Sequence, residues 1–520
     1  MGLSEVALQT ASQPAVENGG RVLARNTALN IVGQVIPLAV GVVATPYTIR
    51  HLGPERFGIL SLAWIIVGYF ALFDLGIGPA TTKFVAELLG RGEPERLPAV
   101  VWTALATQSG MGLAAGALLA AASPLLAHRL LKIPPSLHTD ALWVFLTLAV
   151  SFPISFATGS LRGVLAASQR FELLNAIGIP SSALYYVIPV AALALGLGLP
   201  AIVLLLVASR LAGLAAHAFF CLRLYPTLGH GFIFARPLVR PLLGYGGWVT
   251  VSGAVNPILT YFDRFLIGVL VSIAALGFYT PPCMISTKLT IIPGSLAATL
   301  FPAFSSSAGR GDRAWISNAL ARSLKYLLLI VGPPALVLAF FARPILTLWV
   351  GARFAAQGAT VLQILAVGVL LSSLAYVPSN LLQGVGRPDL TAKFYLLEIP
   401  LHVGLAWFLV ARLGLPGAAL AWTLRVGVDF LLLTLGACWV TRTSPRALVS
   451  RNVAQSLATL ALLALSLSIL AGVSHAMLTQ ALFACFLTSG FLLGAWRYAL
   501  DWEEKWQIRL WLKETHEHNP

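Results

Sequence analysis

Fourteen apolar stretches, each long enough to cross a lipid bilayer, constrain this sequence more than any other feature. They fall near residues 27–49, 57–81, 99–127, 140–161, 172–196, 199–224, 243–270, 274–304, 323–342, 357–384, 391–411, 415–440, 453–473 and 476–498. A helix needs roughly 20 apolar residues to span the hydrocarbon core, and it pairs its backbone polar groups within its own length. The sequence therefore predicts an all-α, polytopic membrane protein with about fourteen transmembrane helices.

The composition excludes a soluble fold. Hydrophobic residues make up 58% of the chain and charged residues only 10%, whereas soluble proteins carry about 25% charged residues. The net charge of +15 is spread over short loops between apolar stretches. It does not form a basic patch with interleaved aromatic residues, so nucleic acid is not the expected partner. The four cysteines stand singly and predict neither a metal site nor a disulfide framework.

The distribution of positive charge orients the predicted helices. With the N-terminus in the cytoplasm, 23 of the 34 Lys and Arg residues lie on the cytoplasmic side, seven on the opposite side and four within spans. Lys and Arg concentrate in cytoplasmic loops of membrane proteins. This bias predicts an even number of spans, with both termini in the cytoplasm.

Short sequence fragments recur at separations of 215 to 221 residues. Leu161-Arg-Gly-Val resembles Leu382-Gln-Gly-Val, 221 residues later, and Leu199-Pro is repeated as Leu415-Pro. Arg56-Phe-Gly-Ile-Leu likewise resembles Leu276-Gly-Phe-Tyr. Because each copy contains six spans, both copies start on the same side of the membrane, as in transporters with parallel repeats. We therefore expect two six-helix lobes around a central cavity, which rock to give alternating access.

The repeat predicts the organisation of the whole chain. We expect a cytoplasmic segment at 1–24, an N-terminal lobe at 25–225, a cytoplasmic linker at 226–242 and a C-terminal lobe at 243–440. Two further helices occupy 453–498, outside the repeat. The cytoplasmic tail, 499–520, contains Trp502, Trp506, Leu510 and Lys513 at helical spacing, which predicts an interfacial amphipathic helix.

Ionisable residues inside the spans are candidates for function, since each costs roughly 2.5–3.5 kcal/mol to insert. Lys288, Arg264 and Arg210 are the predicted cavity cations, which would attract an anionic group such as a diphosphate. Snorkelling, or pairing with an acid on another helix, is the alternative explanation. Asp74, Asp263 and Glu398 are predicted as coupling or structural acids.

Spacing also predicts how some of these charges pair. Arg425 and Asp429 stand four apart on one helix and are expected to form a structural ion pair. Asp263 and Arg264 are adjacent, so we expect them to point to different faces of their helix. No Gly-rich phosphate loop, His-Glu-x-x-His, Gly-x-Ser-x-Gly or Asp-x-Asp motif occurs. We therefore expect no enzyme activity, cofactor, metal or ATP motor, with energy supplied by an ion gradient, the membrane potential or the substrate gradient.

Two long motifs in the N-terminal half carry a family resemblance. They are Thr48-Ile-Arg-His-Leu-Gly-Pro-Glu-Arg-Phe-Gly-Ile-Leu-Ser-Leu-Ala-Trp and Leu72-Phe-Asp-Leu-Gly-Ile-Gly-Pro-Ala-Thr. Tyr261-Phe-Asp-Arg-Phe-Leu-Ile-Gly, Ala275-Leu-Gly-Phe-Tyr and Leu382-Gln-Gly-Val-Gly-Arg-Pro support them. Over roughly residues 25–440 the chain resembles the bacterial polysaccharide biosynthesis and O-unit flippase family.

The resemblance implies a fold like that of multidrug exporters and the lipid II flippase. It also implies transport of a polyprenyl-diphosphate-linked oligosaccharide across the bacterial inner membrane, for lipopolysaccharide or exopolysaccharide synthesis. Lys288 and Arg264 match positions where such families place cavity cations. The implied partners are the lipid-linked substrate, membrane lipid, and a polysaccharide polymerase with its chain-length machinery. A cation-coupled multidrug exporter and a lipid II flippase remain alternatives on the same scaffold. A polysaccharide polymerase or ligase is not expected, because such an enzyme needs an outward catalytic domain or loop that the short outward loops of this chain do not supply.

Overall fold

The chain folds into two compact units of helices, Met1–Ala254 and Val255–Pro520. The computed structural model describes residues 15–72, 77–310, 312–444, 451–473, 477–494 and residue 497, and these ranges contain no β-strand. The division between the units lies within a helix, downstream of the predicted linker 226–242. The lobe boundaries inferred from the sequence therefore remain a prediction.

Within the described residues the first unit contains seven α-helices, the last of which continues into the second unit. They are α1 (Ala15–Leu72), α2 (Ile77–Gly90), α3 (Leu97–Leu125), α4 (His138–Ala167), α5 (Phe171–Ala194), α6 (Leu199–Leu224) and α7 (Arg236–Leu266). α1 is two helices joined at Gly53, whose φ of 73° lies in the left-handed region that glycine tolerates best. This break separates the first predicted span from the second.

The second unit continues with nine described helices. They are α8 (Ile273–Lys288), α9 (Ile291–Gly309), α10 (Arg313–Phe340), α11 (Ala342–Val350), α12 (Ala352–Gly384), α13 (Pro388–Leu413), α14 (Leu415–Thr441), α15 (Arg451–Val473) and α16 (Met477–Gly494). The helices of the last two predicted spans belong to this unit. Leu460, Leu463 and Leu467 of α15 share its buried core with Leu327 and Leu328 of α10.

The structure confirms an all-α polytopic fold. Within the described residues, nine helices are long and apolar enough to cross a membrane: α3, α4, α5, α6, α10, α12, α13, α14 and residues 453–471 of α15. The other five predicted spans lie mostly on α1, α2, α7, α8, α9 and α16. The eighth predicted span, 274–304, is two helices rather than one. Hydroxyl groups of Ser286, Thr287 and Thr290 donate to backbone carbonyls around the break between them, and such bonds compete with the helical ladder.

The same packing scheme occurs in each unit. In the first, α4 packs against α2, α3 and α6; in the second, α12 packs against α9, α10 and α14. These helices occupy equivalent places in the two halves of the sequence repeat. The repeated Leu-Pro pairs place Pro200 and Pro416 in the first turns of α6 and α14, where a missing N–H removes no helical hydrogen bond. The packing scheme therefore supports a duplicated unit.

The glycine of the repeated Leu-x-Gly-Val motif explains why that motif recurs. A Cβ atom on Gly163 of α4 would lie 2.6 Å from the carbonyl oxygen of Gly78 on α2, and one on Gly384 of α12 would lie 3.0 Å from the Cβ of Phe304 on α9. Small residues allow membrane helices to approach closely. In both units the glycine therefore permits a close helix contact, between α4 and α2 in the first unit and between α12 and α9 in the second.

Candidate functional site

The predicted site residues that the structure describes fall in both units. Arg210 lies in the first unit. Asp263, Arg264, Lys288, Glu398, Arg425 and Asp429 lie in the second, and the last three are buried with Asp263 inside helices of spanning length. Asp74 lies outside the described residues. The described positions form two buried groups in the second unit, one aromatic group in the first, and one exposed cation.

The first buried group surrounds Asp263 near the end of α7. Asp263 is 2% exposed, and its Oδ2 accepts a hydrogen bond of 2.6 Å from the Tyr279 hydroxyl of α8. Its Oδ1 atom is buried with no hydrogen-bond partner among the described residues. Asp263, Arg264 and Cys283 border one cavity of about 20 Å³, which is room for about one water molecule.

The shared cavity corrects the expectation that Asp263 and Arg264 face apart. Adjacent helical residues do leave the backbone in different directions, but the Arg264 side chain is long enough to reach the cavity from its own side. Its guanidinium also stacks 4.8 Å from the ring centroid of Tyr261. The carboxylate and guanidinium therefore compensate part of each other's charge in a site too small for a diphosphate group.

The second buried group joins α13 to α14. Arg425 Nη1 donates to Glu398 Oε2 at 3.2 Å, and the two side chains are only 8% and 1% exposed. His402 lies one turn along α13 from Glu398, and its ring centroid lies 6.4 Å from that of Phe262 on α7. These contacts bring the group next to the Asp263 cavity.

Arg425 pairs with Glu398 rather than with Asp429, which corrects the pairing expected from sequence spacing. The i,i+4 spacing makes Asp429 a neighbour on α14, but the carboxylate of Glu398 from the packed helix α13 is within hydrogen-bonding distance of the guanidinium. Glu398, expected to have no local partner, acquires one through tertiary packing. Asp429 Oδ1, Glu398 Oε1, Arg425 Nε and both ring nitrogens of His402 are buried without a hydrogen-bond partner among the described residues.

The two buried groups carry more acid than base. Three carboxyl groups (Asp263, Glu398 and Asp429) share the interior with two guanidinium groups (Arg264 and Arg425). Buried polar atoms without partners are uncommon and expensive, so each one calls for an explanation. Such atoms commonly mark a strained or functional site, or a place taken by ordered water or an ion. Within the described residues, no group of three or more His, Cys, Asp and Glu side chains is arranged to hold a metal ion.

The aromatic group of the first unit surrounds Arg210 of α6. Arg210 Nη1 donates to Ser155 Oγ of α4 at 3.0 Å. Its side chain borders a cavity of about 20 Å³ with Trp64 and Tyr185. The Trp64 ring lies 4.9 Å from Tyr185 and 6.5 Å from Tyr186. Arg210 is therefore half-buried among aromatic rings that lie within its own unit.

Lys288 differs from the two predicted cavity arginines because it is exposed. It is the last residue of α8, next to the two-residue break before α9. A helix C-terminus favours a positive charge. The ammonium group is therefore available to an anionic ligand at an interruption of the eighth span.

Several buried residues were not singled out by the sequence: His402, Tyr279 and Cys283 of the two buried groups, and Lys325 outside them. His402 follows Glu398 at i,i+4 on the same helix, and that spacing was a usable signal. Tyr279 and Cys283 come together with Asp263 only through packing of α8 on α7. Lys325, counted among the cytoplasmic cations, is 2% exposed inside α10 and lies 5.3 Å from the Tyr326 ring centroid.

Two units of apolar helices with ionisable groups buried inside them define a polytopic membrane protein of the transporter class. Residues 23–308 match the family described as polysaccharide biosynthesis protein, and the chain belongs to this family. A Shigella flexneri protein named "Putative O-antigen transporter" is 27% identical over 409 residues, covering 79% of this chain and 96% of that protein.

Solved structures of two transporters share the fold. An inward-facing multidrug resistance MATE family transporter superposes with a TM-score of 0.69 at 17% identity, covering 79% of this chain and 98% of the other. The lipid II flippase MurJ, in an inward closed conformation, also gives a TM-score of 0.69 at 14% identity, and the match covers 91% of this chain and 99% of the MurJ chain. At these identities, the similarity establishes the fold alone.

Proposed function

We propose that this protein is a flippase that moves a polyprenyl-diphosphate-linked oligosaccharide across the inner membrane for cell-surface polysaccharide synthesis. The observation that carries the proposal is the similarity to the Shigella flexneri protein, which extends over 96% of that protein's length. Membership of the polysaccharide biosynthesis family supports it. Both termini are proposed to be cytoplasmic, from the excess of Lys and Arg in the segments on that side.

A flippase must move a charged, sugar-bearing head group past a hydrocarbon layer. Burying an unpaired ion in such a layer is prohibitive, so the head group needs a polar path while the polyprenyl tail stays in lipid. We propose that Lys288, Arg264 and Arg210 are the cations of this path. Lys288 is exposed and can contact a diphosphate directly. Arg264 and Arg210 border cavities of about 20 Å³ each, so they can reach it only when those cavities open.

A cation-coupled multidrug exporter is the second candidate, because the MATE transporter shares the fold. The lipid II flippase MurJ is a third on the same grounds. Neither structure bears on the substrate at these identities. The family match therefore favours the oligosaccharide flippase, with a polysaccharide polymerase and its chain-length machinery as proposed partners and no enzyme activity in this chain.

Deletion of the gene in its host separates these candidates. The expected result is loss of surface polysaccharide on gels of extracted glycan, with unchanged growth and unchanged sensitivity to cationic drugs. The control is the deletion strain carrying the wild-type gene on a plasmid. Increased drug sensitivity with normal polysaccharide would contradict the proposal in favour of an exporter, and a lethal deletion would favour a lipid II flippase.

Replacement of Lys288 by alanine tests the exposed cation. A hydrogen bond to a charged group contributes about 1.5–3 kcal/mol, so we expect the rate of polysaccharide export to fall about tenfold or more, with Lys288→Arg retaining most of it. Lys393→Ala is the matched control, because Lys393 is exposed and pairs with Asp389 at 3.1 Å. Equal export by the Lys288→Ala and Lys393→Ala proteins at equal abundance would remove Lys288 from the site.

A further inference from the structure

A wide, open cavity lies away from both buried charge groups, where the chain leaves α6 and enters α7. It has a volume of about 680 Å³ and is lined by Phe234, Arg236, Val239, Arg240 and Leu243. We call it the linker cavity. Its volume falls within the range of about 300–1,000 Å³ that is usual for small-molecule sites. The described residues that line it all belong to the first unit.

The linker cavity carries positive charge without compensation. Arg236 and Arg240 are four apart at the start of α7, both line the cavity and both are exposed. Neither guanidinium forms an ion pair or hydrogen bond with another of the described residues. Two guanidinium groups spaced by one helical turn present planar donors that suit phosphate oxygens. The cavity is therefore complementary to a phosphate ester.

The rest of the lining is apolar. Phe234, Val239 and Leu243 contribute no hydroxyl, amide or carboxyl group, so the two arginines supply the polar side chains among the described lining residues. Phe232 and Ile233, which precede the cavity, are 63% and 48% exposed. An apolar wall beside a pair of arginines, at the end of a spanning helix, is the arrangement of a membrane-interface site.

The loop that carries these residues is held in place by α3. Trp102 Nε1 donates to the carbonyl oxygen of Leu228 at 3.1 Å, and the backbone N–H of Ala235 donates to Thr103 Oγ1 at 2.9 Å. The Trp102 ring also lies 5.6 Å from the ring of Phe232. These three contacts hold the loop from both ends, so its exposed apolar side chains are part of a preformed surface.

We propose that the linker cavity binds the head group of an anionic phospholipid from the membrane leaflet that borders it. Arg236 and Arg240 bind the phosphate, while Phe232, Ile233 and Phe234 contact the adjoining acyl chains. The lipid-linked substrate offers the same phosphate chemistry, but the exposed apolar side chains of Phe232, Ile233 and Phe234 beside the arginines suit acyl chains better than sugars, which favours a phospholipid. This site would anchor the linker in the membrane whether or not the chain acts as a flippase.

The test uses the purified full-length protein in detergent, titrated with dioleoyl-phosphatidylglycerol and, as the neutral lipid, dioleoyl-phosphatidylcholine. Bound lipids are counted by native mass spectrometry. We expect one phosphatidylglycerol to be retained under conditions that remove phosphatidylcholine. The Arg236→Gln/Arg240→Gln protein should lose at least tenfold in affinity for it. The Arg91→Gln/Arg442→Gln protein, with the same change in charge at two exposed arginines on the same predicted side, should bind like the wild type.

Several results would overturn the proposal. The first is equal retention of the two lipids, and the second is unchanged phosphatidylglycerol binding by the Arg236→Gln/Arg240→Gln protein. The third is loss of phosphatidylglycerol binding in the control variant as well. Undecaprenyl diphosphate and inorganic diphosphate are added as competitors. Displacement by the first at equal concentration would assign the site to the substrate, and displacement by the second would show a simple anion site. If the variant does not fold, salt decides: phosphatidylglycerol binding by the wild type must weaken as ionic strength rises, and salt-independent binding contradicts the proposal.

Discussion

Replacing Arg425 by methionine is expected to destabilise the protein by about 3–5 kcal/mol, the usual effect of removing one partner from a buried ion pair. The substitution leaves Glu398, which is 1% exposed, without its guanidinium. Asp429, whose Oδ1 already lacks a partner among the described residues, loses the nearest compensating charge on α14. The measurements are the temperature of half-loss of monodisperse protein in detergent and the abundance of the protein in membranes.

Two further proteins separate the charge effect from loss of packing. Arg425→Met combined with Glu398→Gln and Asp429→Asn removes the uncompensated acids, and we expect it to recover most of the lost stability. Arg387→Met is the matched control, since Arg387 and Asp389 form a pair that is 38% and 42% exposed, and exposed pairs contribute about 0–1 kcal/mol. Equal, small losses in Arg425→Met and Arg387→Met would show that the buried pair carries little energy.

The triple substitution also tests for a functional role. If the buried group only stabilises the second unit, a protein with restored stability should export polysaccharide at the wild-type rate. If the group exchanges partners during transport, the stable triple variant should lose export. Measuring both stability and export therefore distinguishes a structural ion pair from a conformational element.

Bulky substitutions at Gly112 and Gly116 are expected to disrupt the packing of the first unit. A Cβ atom on Gly116 would lie 2.5 Å from the carbonyl oxygen of Ala149, and one on Gly112 would lie 2.6 Å from the Cα of Pro153. Both contacts are with the backbone of α4, which cannot move aside as a flexible side chain can. Alanine at either position should cost about 1–3 kcal/mol, and leucine at both should prevent α3 from packing on α4.

The measurement is membrane abundance and thermal stability in detergent, with Gly110→Ala as the control on the same helix. A Cβ atom on Gly110 meets nothing within 4 Å. Because alanine is the better helix former by roughly 0.5–1 kcal/mol, that variant should be as stable as the wild type or slightly more so. If Gly110→Ala and Gly116→Ala had the same stability, close contact between α3 and α4 could not be the reason for the glycine.

The sequence predicted the features that depend on the local composition of each segment and on fragments that recur along the chain. Apolar stretches of spanning length become helices in lipid, and within the described residues the structure places helix on each of them, the eighth as two helices. The recurring Leu161-Arg-Gly-Val and Leu382-Gln-Gly-Val indicated a duplication, and their glycines prove to lie at equivalent helix contacts in the two units. Spacing along one chain was sufficient for these predictions.

The pairing of residues on different helices could not be predicted from spacing along the chain. Spacing made Asp429 the expected partner of Arg425, while the observed partner, Glu398, is 27 residues distant in sequence. Asp263 similarly bonds to Tyr279 of another helix. A single sequence records which residues share a helix face, but not which face of another helix packs against it.

The sequence by itself therefore determined that this chain is a polytopic helical membrane protein, because insertion into lipid depends on the length and polarity of each segment, and it indicated an internal duplication. Only the tertiary structure decided which buried charges meet, where the eighth span breaks, and how Phe234, Arg236 and Arg240 come to border one cavity. Those arrangements depend on contacts between helices, and in an apolar interior each polar atom takes the partner that packing brings within reach.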